Sequence, residues 1–390
     1  MNLASLSASY LRARPLNTVL SVLLLALGVG TIVLLLLVVG QAEERMQRDA
    51  DGIDLVVGAK GSPMQLMLSG IYHLDAPTGN IPLSTVDLLS KNRMIKRAMP
   101  LALGDSWQGN RIVGADRAYA EHYGAELRAG RFYEKPMEAV LGYEVARRTG
   151  AGVGATFKGA HGLGSEPGEE HEGAYMVVGV LGKTGSVVDR VVLTPIESVW
   201  DVHDKVPEAA REVTVVLVQY ASPLAAATLP RQINSQTELQ AASPAYETAR
   251  LFRIVGVGVE ALRGFAALLI LAAGLSVFIA LYSALEERRY ELALMRTLGA
   301  SPGRLFGLLI GEAFVLSLLG VALGLLLGHA LAELLGAWLE RQQSYPVTGL
   351  EWRPEELWVA GIALAVGVVA AIVPAWRAYR TDVSRTLAQA

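Results

Sequence analysis

Four apolar runs dominate this sequence and leave few folds open to it. The first lies between Arg14 and Glu43, the second covers 264–285, the third runs from Leu305 to about Gly328, and the fourth covers 357–376. Each approaches or exceeds the roughly 20 apolar residues that carry a helix across the hydrocarbon of a bilayer. The third is the least pure, since Glu312 interrupts it. A cleaved signal peptide is the rival reading of the first run. Its apolar stretch outruns the roughly 7–15 residues of an ordinary signal core, so it is read as a retained anchor, although Gly40-Gln41-Ala42 has the form of a weak cleavage site. Composition agrees: 52% hydrophobic residues, 18% charged and a mean hydropathy of +0.37 exceed what a soluble core requires.

Arginines set the orientation. Arg12 and Arg14 precede the first run, Arg288, Arg289, Arg296 and Arg304 follow the second, and Arg377, Arg380 and Arg385 follow the fourth. Four crossings put all three groups on one side, which the positive-inside rule makes cytoplasmic, together with both termini. The expected division is a cytoplasmic N-terminus and first transmembrane helix over 1–42, an outside domain over 43–262, and a second helix over 263–285. A cytoplasmic loop over 286–304, a third helix over 305–331, a short external loop over 332–356, a fourth helix over 357–376 and a cytoplasmic tail over 377–390 complete it. Strand-like segments in the outside domain begin at Asp54, Arg111, Ala139, Tyr175, Arg190 and Glu212, each β-branched-rich and closed by Gly or Pro. Helical patches at 85–97, 144–149 and 195–201 fall between them. The fold class is therefore an α-helical membrane protein with four transmembrane helices plus an α+β extracytoplasmic domain inserted between helices 1 and 2.

The loop between the second and third runs has a helical pattern of its own. Tyr290, Leu294 and Leu298 recur at i, i+4 and i+8, with Arg289 and Arg296 on the opposite side. Gly299 is placed to end this helix in the left-handed conformation. Ser301 and Pro302 then read as N-cap and first residue of the next one. A helix resting on anionic headgroups would show the same arginines, so lipid contact is the plain alternative.

Signals for chemistry are sparse. Gly58-Ala-Lys-Gly-Ser-Pro has the composition of a phosphate loop without its spacing, and no helix is expected to follow it. Gly320, Gly324 and Gly328 share one face of the third run, as Ala363, Gly367 and Ala371 do on the fourth, which suits close helix packing. Glu312 should face a partner, a subunit seam or water, in a structural or a proton-coupling role. His161 and His171, flanked by Glu169, Glu170 and Glu172, are weak candidates for a zinc-class cation; no metal is otherwise expected. His329 and Glu333 make a weaker pair at i and i+4. With no cysteine, disulfides and thiolate sites are excluded, and a net charge of −3 without basic-aromatic clusters argues against nucleic acid.

The run Glu286-Glu-Arg-Arg-Tyr-Glu-Leu-Ala-Leu-Met-Arg-Thr-Leu-Gly-Ala-Ser301 resembles the signature that follows the second span of FtsX-like and MacB-like (LolC-type, type VII) ABC transporter permeases. The spacing of Ile112-Val-Gly-Ala-Asp, Gly130-Arg-Phe, Val140-Leu-Gly-Tyr-Glu and Val178-Val-Gly-Val-Leu resembles their periplasmic core. Pro374-Ala-Trp-Arg-Ala resembles their closing pattern, which departs at Val383 where proline is usual. The resemblance implies a non-catalytic subunit of the bacterial inner membrane. Its coupling helix, with Glu287, Arg288, Arg289, Tyr290, Glu291, Leu294, Met295, Arg296, Leu298 and Gly299, would dock on a separate ATPase subunit present in two copies. No cofactor is expected in this chain, ATP and Mg being bound by that partner. It further implies a homodimer or a heterodimer with a related permease, contact with membrane lipids and a periplasmic adaptor or binding protein. Mechanotransmission would then drive export or extraction of a substrate outside the inner membrane. The alternative is a regulatory scaffold that activates an extracytoplasmic partner and transports nothing.

Overall fold

The computed structural model describes residues 15–162, 170–202, 207, 210–287, 289–341 and 347–380. Arg12, Arg14, Glu169, Arg288, Val383 and Arg385 lie outside that set. The chain forms two compact units, Met1–Ala42 with Val255–Ala390, and Glu43–Ile254.

In chain order, helix α1 (Pro15–Ala50) leads to β1 (Leu55–Ala59), α2 (Pro63–Gly70), β2 (Ile81–Pro82) and α3 (Ser84–Ser90). Next come β3 (Ile95–Trp107), β4 (Asn110–Ala115), α4 (Arg117–His122), β5 (Leu127–Gly130), β6 (Glu138–Leu141) and α5 (Tyr143–Thr149). They are followed by β7 (Thr156–His161), β8 (Glu170–Leu181), a 3-10 turn (Val187–Arg190), β9 (Val192–Thr194) and α6 (Ile196–Val202). The outer unit closes with β10 (Glu212–Val213), β11 (Val215–Tyr220), α7 (Pro223–Gln236) and β12 (Leu239–Ala242). Helices α8 (Pro244–Glu287), α9 (Arg289–Thr297), α10 (Pro302–Arg341) and α11 (Glu355–Tyr379) complete the chain.

The outer unit is a mixed sheet in the order β12-β1-β11-β3-β4-β9-β6-β8-β5. Strand β1 is thus flanked by the last two strands, pairing antiparallel with both β11 and β12. Strand β7 lies off this path and pairs with both β3 and β8. That addition closes a ring of six strands, β3-β4-β9-β6-β8-β7, and removes an edge that would otherwise stay open. Ile112, Ala139, Leu141, Phe157, Tyr175, Val177 and Val192, all from ring strands, share one buried cluster. A second cluster, including Leu55, Val57, Val216, Val218, Leu229 and Ile233, packs the β1–β11 side of the sheet against α7.

Among the described residues, four helices are long and apolar enough to cross a membrane, and the other unit is built on them. Leu25, Val29, Val33 and Leu37 of α1 cluster with Ile270 and Ala273 of α8, Val321 and Ala332 of α10 and Ala363 of α11. Ser21 and Ser276 exchange a 2.8 Å hydrogen bond between α1 and α8, satisfying two hydroxyls away from water.

Several boundaries differ from the sequence reading. The second spanning helix begins at Pro244 rather than near 263, and the outer unit ends at Ile254 rather than 262. Glu247, Arg250, Arg253, Glu260 and Arg263 put charge on those extra turns, so an apolar criterion passes over them. The helix expected over 85–97 stops at Ser90, and β3 starts at Ile95. A helix does follow Gly58-Ala-Lys-Gly-Ser-Pro: Ser62 caps α2, accepting from the Gln65 N–H, and Pro63 occupies its first turn. The segment is still no phosphate cradle. The Lys60 ammonium donates instead to the carbonyls of Asn234, Thr237 and Leu239 around the end of α7.

Candidate functional site

Helix α9 stands between the second and third spanning helices, as its sequence predicts. It closes with a full Schellman motif, Ala300 N–H to the Met295 carbonyl at 2.9 Å and Gly299 N–H to the Arg296 carbonyl at 3.1 Å. Gly299 carries φ +96°, a conformation costly for any residue with a Cβ. One face of α9 is turned in. Ala293 is fully buried, and Met295 packs on the cluster of Leu281, Leu285, Leu305 and Leu309. The other face is open, with Leu294 45% and Leu298 80% exposed, while Arg296 is half-buried on the inner side. Glu287 is exposed; the side chains of Arg289, Tyr290 and Glu291 are not among those described.

The predicted packing glycines contact α1. A Cβ on Gly320 would stand 2.8 Å from Leu25 Cδ2, one on Gly324 2.7 Å from Val29 Cβ, and one on Gly328 2.7 Å from Val33 Cβ. On α11, Gly367 faces Ser317 of α10, with Ala363 and Ala371 fully buried beside it. Glu312 is 3% exposed within the bundle.

His329 and Glu333 do not pair with each other. His329 donates from Nδ1 to the Gly349 carbonyl at 2.5 Å, and its Nε2 lies 2.9 Å from Glu356 Oε2. Glu333 accepts from the Thr348 hydroxyl and the Gly349 N–H. Both thus hold the loop before α11, where Gln41 adds a two-way amide bond with the Thr348 backbone.

A group that sequence reasoning missed anchors the ends of α1 and α8 within the outer unit. The buried Tyr72 hydroxyl donates to the Met46 carbonyl at 3.1 Å and lies 3.2 Å from the Thr248 hydroxyl. Burial pushes its pKa up to about 12. The Tyr123 hydroxyl donates to the Asp49 carbonyl, and the Asp49 carboxylate accepts from Val187 N–H at 2.8 Å and Arg190 at 3.4 Å. Beside them His73, at φ +56°, donates from Nδ1 to the Ser69 carbonyl, and its Nε2 lies 2.9 Å from the Tyr119 hydroxyl. Burial, with Arg111 and Arg190 nearby, lowers its pKa to about 3. No local motif announces these residues, because, the His73–Ser69 bond apart, each acts on chain far from it in sequence.

His161 and His171 come together, with ring centroids 4.2 Å apart. Among the described residues the carboxylate beside them is Asp105 of β3; Glu172 is exposed, and the side chains of Glu169 and Glu170 are not among those described.

A family model for a MacB-like periplasmic core domain matches residues 18–236, more than half of the chain. A second, for the FtsX-like permease C-terminal region, matches residues 263–383. No curated protein matches. One similar solved structure is the extracellular domain of the noncanonic ABC-type transporter YknZ from Gram-positive bacteria. It has 13% sequence identity and a TM-score of 0.30 over 49% of this chain and 99% of that one.

Proposed function

This chain belongs to the family of ABC-type transporter permeases that combine a MacB-like periplasmic core domain with an FtsX-like C-terminal region, and from that premise we propose that it converts ATP hydrolysis on a separate subunit into movement of its extracytoplasmic domain. The family implies the ATPase partner. ATP and Mg would be held by two copies of that partner, and this chain would act as a non-catalytic subunit in a homodimer or a heterodimer with a related permease. With N- and C-termini in the cytoplasm of a bacterium and the core domain outside the inner membrane, α9 is the element offered to the ATPase. The substrate exported or extracted would be met outside, where an adaptor or binding protein could deliver it.

The observation that carries this reading is the open apolar face of α9. Leu294 and Leu298 stand exposed on a helix whose opposite face, through Ala293 and Met295, is packed on the spanning helices. Apolar anchors in a desolvated groove carry most of an interface's energy, often about 2 kcal/mol or more for one side chain, and rim charges carry less. The helix joined to α9, α8, runs without a break from Glu287 to Pro244 and so belongs to both units. Displacement of α9 therefore has a continuous helix along which to reach the outer domain.

The test is a pair of variants assayed with the cognate ATPase in liposomes. Leu294→Asp should weaken ATPase association at least about 30-fold, the equivalent of 2 kcal/mol, and uncouple hydrolysis while the protein still inserts and melts as before. Arg296→Ala should do less. Full coupling in Leu294→Asp would refute the docking face.

A further inference from the structure

The outer domain's strand ring closes at one short seam. Strand β7 joins β3 through two residue pairs, Asp105 with His161 and Ser106 with Ala160, and joins β8 on its other side. Both neighbouring ladders are irregular there. The β3–β4 register shifts between Leu103 and Ser106, and the β7–β8 register shifts between Lys158 and Ala160, opposite the stretch that carries His171. Bulges of this kind re-aim side chains, and they favour sites with a task. Three strands accordingly bring three ligand-type side chains together. His171 Nε2 lies 3.0 Å from Asp105 Oδ1, His161 Nδ1 lies 3.5 Å from the same oxygen, and one ligand atom from each residue falls within 4.8 Å of the other two.

We propose that Asp105, His161 and His171 form a binding site for a divalent transition-metal ion of the zinc class, fastening the seam between β3, β7 and β8. The donor set is two imidazole nitrogens and one carboxylate oxygen. That set suits zinc and its neighbours and disfavours magnesium or calcium, which take oxygen. The two spacings to Asp105 Oδ1, 3.0 and 3.5 Å, are already close to what a small ion needs, since bonds of about 2.0–2.2 Å at tetrahedral angles place donors roughly 3.3–3.6 Å apart. Burial is graded. Asp105 is 1% exposed and His171 8%, whereas the His161 side chain is 52% exposed and leaves the ion an approach from water. Tyr175 completes the setting. Its ring is wholly buried and stacked on Phe157, and its hydroxyl has no hydrogen-bond partner among the described residues. The Tyr175 ring edge and the His171 ring both come within 3.7 Å of where a Cβ on Gly159 would sit, so this buried hydroxyl group belongs to the ring that flanks the site. An ion bound here would replace the direct contact between His171 Nε2 and Asp105 Oδ1, each atom becoming a ligand.

The experiment uses the full-length chain without a histidine tag, purified in detergent, stripped with chelator and titrated with zinc chloride in a calorimeter. One equivalent of zinc per chain is expected, together with a raised melting temperature. Asp105→Asn and His171→Gln should abolish both effects. His161→Ala, a change at an exposed position, should weaken binding by more than the roughly 10- to 100-fold that losing an outer partner costs. His122→Gln, at a ring whose nitrogen meets the Asp51 carbonyl far from this seam in sequence, should bind as the wild type does. Absence of stoichiometric zinc binding to the wild type would overturn the proposal. So would binding that survives in Asp105→Asn and His161→Ala, or magnesium binding equally well. No ATPase takes part, so this result stands apart from the fate of the coupling helix.

Discussion

Gly324→Ala is the smallest change that tests how the spanning helices are held together. The new Cβ would meet Val29 Cβ at 2.7 Å, Val29 Cγ1 at 2.9 Å and the Ala26 carbonyl oxygen at 2.9 Å. Two of these three atoms are backbone or fixed to it, so no rotamer change relieves them. Ordinary carbon contacts lie at about 3.5–4.0 Å, so α1 and α10 must part by nearly 1 Å. A gap of roughly 0.5–1 Å forfeits a quarter to a half of each contact's attraction, and the Gly320–Leu25 and Gly328–Val33 contacts lie on the same seam. Overpacking of this kind costs about 1–3 kcal/mol, set against a helix-propensity gain of at most ~1 kcal/mol for replacing glycine. The net expectation is a loss of up to about 2 kcal/mol. Gly311→Ala on the same helix meets nothing within 4 Å and should be neutral or stabilising. Both can be read from denaturant midpoints of tryptophan fluorescence in mixed micelles. If Gly324→Ala is as stable as the wild type, the close approach of α1 and α10 is not what binds them.

Two predictions concern the outer unit. His73 has a pKa of about 3 in the folded chain against an ordinary 6.5, so above pH 6.5 neither state holds the proton and nothing is contributed. Below that the unfolded chain binds a proton that the folded one refuses, and stability falls with pH by about 2 kcal/mol at pH 5. His73→Asn, which tolerates the positive φ, should flatten that slope in urea titrations at pH 5 and 7; an unchanged slope would refute the assignment. Tyr72→Phe should cost about 1–3 kcal/mol by removing the hydroxyl that meets α1 and α8, and adding Thr248→Val should cost less than the sum of the two single changes. Strict additivity of the urea midpoints would show that the two hydroxyls do not interact.

The spanning helices, the close contact of their glycines and the end of α9 were legible because each depends on local spacing: long apolar runs, a four-residue glycine repeat, a C-terminal glycine. The same local code was overlooked once. Ser62-Pro63 opens α2 just as Ser301-Pro302 precedes and opens α10, yet no helix is expected there from the Gly58-Ala-Lys-Gly composition before it. Strand β3 was hidden because Lys96-Arg97 and Gly104-Asp105 interrupt its apolar residues, while its 13 residues serve three different neighbours. Asp105 could not have been joined to His161 and His171 from sequence at all. Their meeting depends on strand register and on two bulges, which are properties of pairing and not of composition.

The place of β1 bears on how the protein is made. Its partners, β11 and β12, are the last strands of the outer unit to be synthesised, Leu55 pairing with Val218 and Val56 with Ala242. Loop-closure entropy must be met before such distant pairings return any stability, and sheets built this way form slowly. During export β1 therefore emerges first and waits, with Leu55, Val56 and Val57 unburied and both edges open, until nearly the whole domain has crossed the membrane. A strand with both edges open pairs readily with other chains, so that interval is when the nascent outer domain is most exposed to aggregation, and the strand that begins it is the segment at risk.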